Sequence, residues 1–113
     1  MKVFLTGQAH RDIAGIKAYL SEKNRPNAAN TVAKRLYRET SDLAKSPQKG
    51  IALSAKFGIQ SDLRMWIVPP NLILYRIAGD KIIVIRIIDE RRDYLAELGL
   101  REYEDDGDNG EDI

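Results

Sequence analysis

At 113 residues, 43% hydrophobic and 31% charged, the chain is long enough for one core and too short for two ordinary domains. It has no cysteine, which excludes disulfides and thiolate metal sites and is compatible with a reducing compartment. Its net charge of +1 hides a split: residues 1–101 hold all 18 Lys and Arg but only 10 acids, and residues 102–113 hold the other 7 acids and no base.

A basic body favours an acidic or polyanionic partner; the plainer alternative is an ordinary basic surface. The opening MKVFLTGQ is too short an apolar run for a signal peptide, and residues 82–85 are far short of a membrane span. The expected setting is therefore cytoplasmic, with no membrane partner.

In chain order, residues 2–5 read as a short strand. Thr6 stands at an N-cap position before Ala9, Ile13, Ile16 and Leu20, whose spacing puts them on one helical face. Arg11, Asp12 and Lys17 fall off that face, and the helix should end near Asn24. Pro26 suits the first position of a second helix. Ala29, Val32, Leu36, Thr40 and Leu43 give that helix one apolar face, and Ser46-Pro47 ends it. The two make an α-hairpin.

Residues 47–61 read as loop, with a short extended piece around 51–53. Residues 62–68 read as a strand with Leu63, Met65 and Ile67 on one side and Arg64, Trp66 and Val68 on the other. Pro69-Pro70 stops it. Residues 72–78 and 81–88 read as an antiparallel pair around a Gly79-Asp80 turn. Asp89 is placed to cap a short helix over 90–98 that ends at Gly99. The acidic segment from 101 to 113 is expected to be disordered when alone. The predicted class is α+β: an N-terminal strand and α-hairpin on one face of a small, mostly antiparallel sheet, then a short C-terminal helix.

Three stretches, FLTGQAHRDIAGIKAYL, SDLRMWIVPPNLILYRI and VIRIIDERRDYLAEL, carry a resemblance in their order and spacing. Over roughly residues 3–98 the chain resembles the RelE/ParE toxin superfamily, and specifically the ParE-type toxins of bacterial toxin–antitoxin operons. The resemblance implies a toxin domain over 1–100, followed by the acidic tail over 101–113. It implies inhibition of DNA gyrase, neutralisation by a cognate ParD-like antitoxin, and contact with operator DNA only through that antitoxin.

The RelE-type cousins are ribosome-dependent messenger RNA nucleases, and their chemistry needs cations around the scissile phosphate together with proton-transfer groups. On the frame of Tyr75 and residues 82–88, their two central-strand lysine positions correspond to Leu63 and Met65. The following arginine corresponds to Leu72 and the tyrosine to Leu98; only Arg92 matches. Many ParE-type sequences have a histidine where this chain has Asp89. The lone His10 reads as an exposed first-turn residue. No phosphate-binding glycine loop or metal spacing is present, so the expectation is a non-catalytic inhibitor without cofactor or metal. An RNA-cleaving toxin and a non-toxic antitoxin-binding module stand as alternatives.

The candidate partner contacts are Arg64, Trp66, Arg86, Arg91, Arg92 and Asp93. Arg64 beside Trp66 has hot-spot character, weighed against Trp66 simply packing on a helix. A two-residue turn at Gly79-Asp80 would set Arg76 opposite Ile83 and Arg86 opposite Ile73, on opposite faces of the sheet. Arg76 reads as a strand arginine paired with an acid, and Arg86 is open between that and a contact. Arg91 and Arg92 would sit in the first turn of the last helix, where cations are unfavourable, which marks them as functional or specifically paired. Arg92-Asp93 matches the family's ending. The antitoxin track is expected along Ile16, Leu20, Val32, Leu36 and Leu43. The acidic tail reads as a solubilising end, or as a segment folding back on the basic body.

Overall fold

The computed structural model describes residues 1–102. The elements are β1 (Lys2–Leu5), α1 (Gly7–Glu22), α2 (Pro26–Asp42), β2 (Ile51–Ala52), α3 (Leu53–Phe57), β3 (Arg64–Val68), β4 (Asn71–Ala78), β5 (Lys81–Asp89) and α4 (Tyr94–Glu97). The strands form one sheet in the order β1-β5-β4-β3-β2. Every pairing is antiparallel except β1 with β5. The fold is α+β, as expected. The expectation for the acidic tail lies, from residue 103 on, outside the described residues.

Thr6 caps α1 as its chemistry predicts: its Oγ1 accepts from the Ala9 amide at 3.1 Å and donates to the Ile85 carbonyl at 2.8 Å. Asn24 ends the helix at φ 58°, a left-handed position that Asn tolerates better than most residues. The Arg25 amide returns to the Leu20 carbonyl at 3.0 Å, and Pro26 then opens α2. In α2 the hydroxyl of the buried Thr40 donates to the Tyr37 carbonyl at 2.7 Å, so the polar atom is satisfied inside its own helix.

The α-hairpin covers one face of the sheet. Ala9, Ile13, Ala33, Leu36 and Leu43 meet Val68, Ile73, Tyr75, Ile82, Val84 and Ile87 there. The other face is not open. Leu53 of α3 and the Tyr94–Leu100 region cover Leu63, Met65, Leu72, Leu74 and Ile88, forming a second cluster.

Three expectations are corrected. Residues 51–57 form β2 and the one-turn α3, closed by Gly58 at φ 66°; five residues are too few for helical periodicity to register in the sequence. Second, β5 carries a bulge. Tyr75 pairs with Val84 and Leu74 with Arg86, so Ile85 is extra and Arg86 lies opposite Leu74, not Ile73. The bulge also reverses the alternation: Ile82 and Val84 face the hairpin, and beyond it Ile87 does. Third, Asp89 does not cap the last helix. It ends β5, and Asp93 caps the shorter α4, with the Ala96 amide 3.4 Å from its carboxylate.

The segment between α2 and β2 is pinned from the sheet. Tyr75, fully buried, donates its hydroxyl proton to the Pro47 carbonyl at 2.6 Å and accepts from the Gly50 amide at 3.0 Å. A Cβ on Gly50 would lie 2.6 Å from that hydroxyl and 3.0 Å from the Met65 carbonyl, so only glycine fits without displacement. Arg64 completes the clasp, donating to the Gly50 carbonyl at 3.1 Å and the Gln48 carbonyl at 3.0 Å.

Candidate functional site

β1 pairs with β5 only as far as Val84, so the outer edge of β5 beyond it needs another partner for its amides. Asp12 of α1 supplies one. Its carboxylate accepts from the Ile87 amide at 2.9 Å and from Arg86 Nε and Nη2 at 2.8 and 3.1 Å. Burial acts to raise the Asp12 pKa; hydrogen bonds from Arg86, the Ile87 amide and Gln8, with the charge of Arg86, outweigh it and hold the carboxyl below its ordinary value.

Arg86 Nη2 also lies 3.8 Å from Glu97 of α4, which Arg92 reaches at 2.5 Å. A chain of alternating charge therefore runs Asp12–Arg86–Glu97–Arg92 and ties α1, β5, α4 and the corner after β5 together. Arg86 is part of this internal framework. Arg76 lies opposite Ile83, as expected, and pairs with Asp62 at 3.5 Å.

The corner itself is a turn. Asp89 accepts from the Arg91 amide at 2.9 Å and holds its guanidinium in a fork at 2.9 and 2.6 Å. These hydrogen bonds from Arg91 pull the Asp89 carboxyl down to about 2. Arg91 and Arg92 precede α4, so they do not occupy its first turn, and the expected conflict with the helix dipole does not arise. Their heads remain 80% and 58% exposed. Asp93 is engaged as the cap and as acceptor for Arg101 Nη2 at 2.6 Å.

Between this corner and the hairpin runs a groove of about 600 Å³. Ile16, Leu20 and Val32 of the hairpin line it with apolar side chains, Asn71 and Ile87 contribute from the sheet and Pro70 from the turn before β4, and Arg11, Arg91 and Arg92 line it too. Two candidate sets that the sequence reading kept apart thus meet in one place. Leu36 and Leu43 do not belong to it: they are 1% and 0% exposed, spent on the core, and offer no surface to a partner. Arg11, Tyr19 and Asn71 line the groove and were missed. An Arg11-Asp12 pair beside an apolar stripe was the available signal.

Arg64 and Trp66 do not join this groove. Trp66 packs against the first core cluster, its Nε1 donates to Glu39 of α2 at 2.8 Å, and Lys49 lies 4.3 Å over its ring. The helix-packing reading of Trp66 is the one observed, and Arg64 is used by the clasp. His10 Nδ1 is 3.1 Å from the Tyr37 hydroxyl on the exposed side of the hairpin. Among the described residues, no three His, Asp or Glu converge as metal ligands, and no helix is long and apolar enough to cross a membrane.

A family model described as the ParE toxin of the type II toxin–antitoxin system parDE matches residues 3–94. No curated protein sequence matches the chain. A chain from the solved structure titled "Chromosomal ParDE TA system from P. aeruginosa" is similar with a TM-score of 0.67 at 18% identity, over 79% of this chain and 95% of that one.

Proposed function

We propose that this chain, which belongs to the ParE toxin family of type II toxin–antitoxin systems, arrests growth by inhibiting DNA gyrase and is neutralised by a cognate ParD-like antitoxin. The observation that carries the reading is the groove, whose lining joins Ile16, Leu20 and Val32 to Arg91 and Arg92 with their exposed heads. An amphipathic antitoxin segment with acids beside its apolar anchors fits such a surface, and it orders on binding. Operator DNA is reached through the antitoxin.

Inhibition works by contact and without catalysis in this reading. Leu63, Met65 and Leu72, at the positions where RelE-type nucleases carry cations, are 6%, 3% and 2% exposed in the second core cluster. A phosphate cannot approach them, and they have no charge to offer it. Gyrase then has the exposed Arg91 and Arg92 to meet, and the antitoxin acts by covering the same corner. The site of action is the cytoplasm.

Induction in bacterial cells tests this, followed by a supercoiling assay with purified gyrase and primer extension on messages. Gyrase-dependent DNA breaks are expected, with intact messages. Cleaved messages with unaffected gyrase would overturn the reading in favour of an RNA-cleaving toxin.

A further inference from the structure

The acidic end of the sequence has no part in the function proposed above. Residues 103–113 hold six acids and no base, and the described residues hold 18 bases against 11 acids. The described chain ends beside the arginine corner. Leu100 packs on the second core cluster, and Arg101 bonds Asp93, the neighbour of Arg92. The eleven residues that follow span at most roughly 36–40 Å when extended, ample for the adjacent groove.

The groove presents donors outward. Its acids are already occupied: Asp12 by Arg86 and the Ile87 amide, Asp89 by Arg91. Arg91 bonds Asp89 through Nε and Nη2, Arg92 bonds Glu97 through Nη2, and Arg11 bonds Gln8 through Nε and Nη2, so each exposed guanidinium keeps further N–H donors. An arriving carboxylate can therefore take up the remaining guanidinium N–H donors of three arginines.

We propose that residues 103–113 of this same chain seat on the groove, with their carboxylates on Arg11, Arg91 and Arg92. Tethering supplies a local concentration on the order of millimolar, which a free acidic ligand must exceed. The contact is electrostatic and weakens with salt. The tail then acts as a built-in competitor for any acidic partner of the groove. That consequence rests on the antitoxin reading; the placement of the tail does not, and its test uses no partner.

Because the sequence has no cysteine, Asn109→Cys gives a single site for a nitroxide label on the full chain. In low salt the label is expected to broaden the methyl signals of Ile16, Leu20 and Val32 and to spare Ile51 and Ile67, which are exposed near the far edge of the sheet. About 1 M NaCl, where screening acts within ~3 Å, should remove the effect. Absent or uniform broadening, or broadening only between molecules, overturns the proposal. A second measurement uses a fluorescent peptide of residues 103–113 added in trans. It should bind a full-length chain with all six tail acids changed to their amides at least tenfold more tightly than the native chain. Arg91→Ser with Arg92→Ser should erase that gain. Equal binding to the native and neutralised chains would refute the competition.

Discussion

Arg86 of β5 holds Asp12 of α1 through a fork of two hydrogen bonds, at 2.8 and 3.1 Å, across 74 residues of sequence. The side chains are 20% and 9% exposed, so this pair is largely withdrawn from water. Removing either partner takes the fork from the other, largely buried charge and leaves it weaker contacts, among them Glu97 at 3.8 Å for Arg86, and the Ile87 amide and Gln8 for Asp12. Asp12→Ala and Arg86→Met should each destabilise the fold by about 3 kcal/mol, while the double substitution should cost less than the two losses combined. Urea unfolding of the four proteins measures this; simple additivity would mean the two residues do not act as a pair.

The same carboxyl gives the fold an acid limit. A depressed folded-state pKa contributes stability that is present above the unfolded value and lost as pH falls through the folded one. Asp12 is held below 3.8 and Asp89 lies at about 2, so stability should decline as pH drops from about 4 toward 2. Asp89 is partly exposed beside a solvent-facing Arg91, so its share is the smaller. Asp12→Asn should flatten the pH dependence of the urea midpoint, and Asp89→Asn should flatten it less. An unchanged slope in Asp12→Asn would show that the depressed carboxyl is not the source.

Gly50 and Tyr75 make a second test, because the contact is steric. Gly50→Ala forces a methyl against the Tyr75 ring and hydroxyl, and an overpacking cost of about 1–3 kcal/mol is expected. Tyr75→Phe strands the Gly50 amide and the Pro47 carbonyl and should cost a similar amount. Combined with Tyr75→Phe, Gly50→Ala should cost less than it does alone, since the nearest atom is gone. Thermal unfolding with calorimetry reads all three.

The groove separates binding from stability. Leu20→Glu, at a half-buried position outside the core clusters, should weaken antitoxin binding tenfold or more and shift stability by about 1 kcal/mol or less. Leu36→Ala should do the reverse, costing about 2–5 kcal/mol through a core cavity while leaving the groove's chemistry in place. Isothermal titration at a temperature where all variants are folded distinguishes the two. Loss of binding in Leu36→Ala without loss of stability would return that residue to the interface.

Growth arrest should depend on the corner. Arg91→Ala with Arg92→Ala is expected to abolish toxicity and gyrase inhibition, because both heads are exposed and available to a target. Trp66→Phe should keep toxicity and lose roughly 1 kcal/mol of stability with the bond to Glu39. If the pattern is reversed, the contact surface lies at Trp66.

Local chemistry alone determined much of this protein. Thr6 as a cap, Pro26 as a helix start, the hairpin spacing and the Gly79-Asp80 turn are decided by neighbours within a few residues, and all four are seen as expected. The order of three short motifs carried the family. What depends on residues far apart in sequence was decided only by the tertiary structure. The bulge at Ile85 answers to the register of β4 and β5 together, and it moved Arg86 to face Leu74. Asp89 and Asp93 are both competent caps; the length of β5 and the pull of Arg91 assigned that role to Asp93. Leu36 and Val32 share one helical face, yet Leu36 is fully buried in the first core cluster while Val32 packs at its margin and lines the groove. The meeting of Ile16, Leu20 and Val32 with Arg91 and Arg92 is of the same kind. Periodicity states which face of a helix is apolar, and only packing across the sheet states what that face meets.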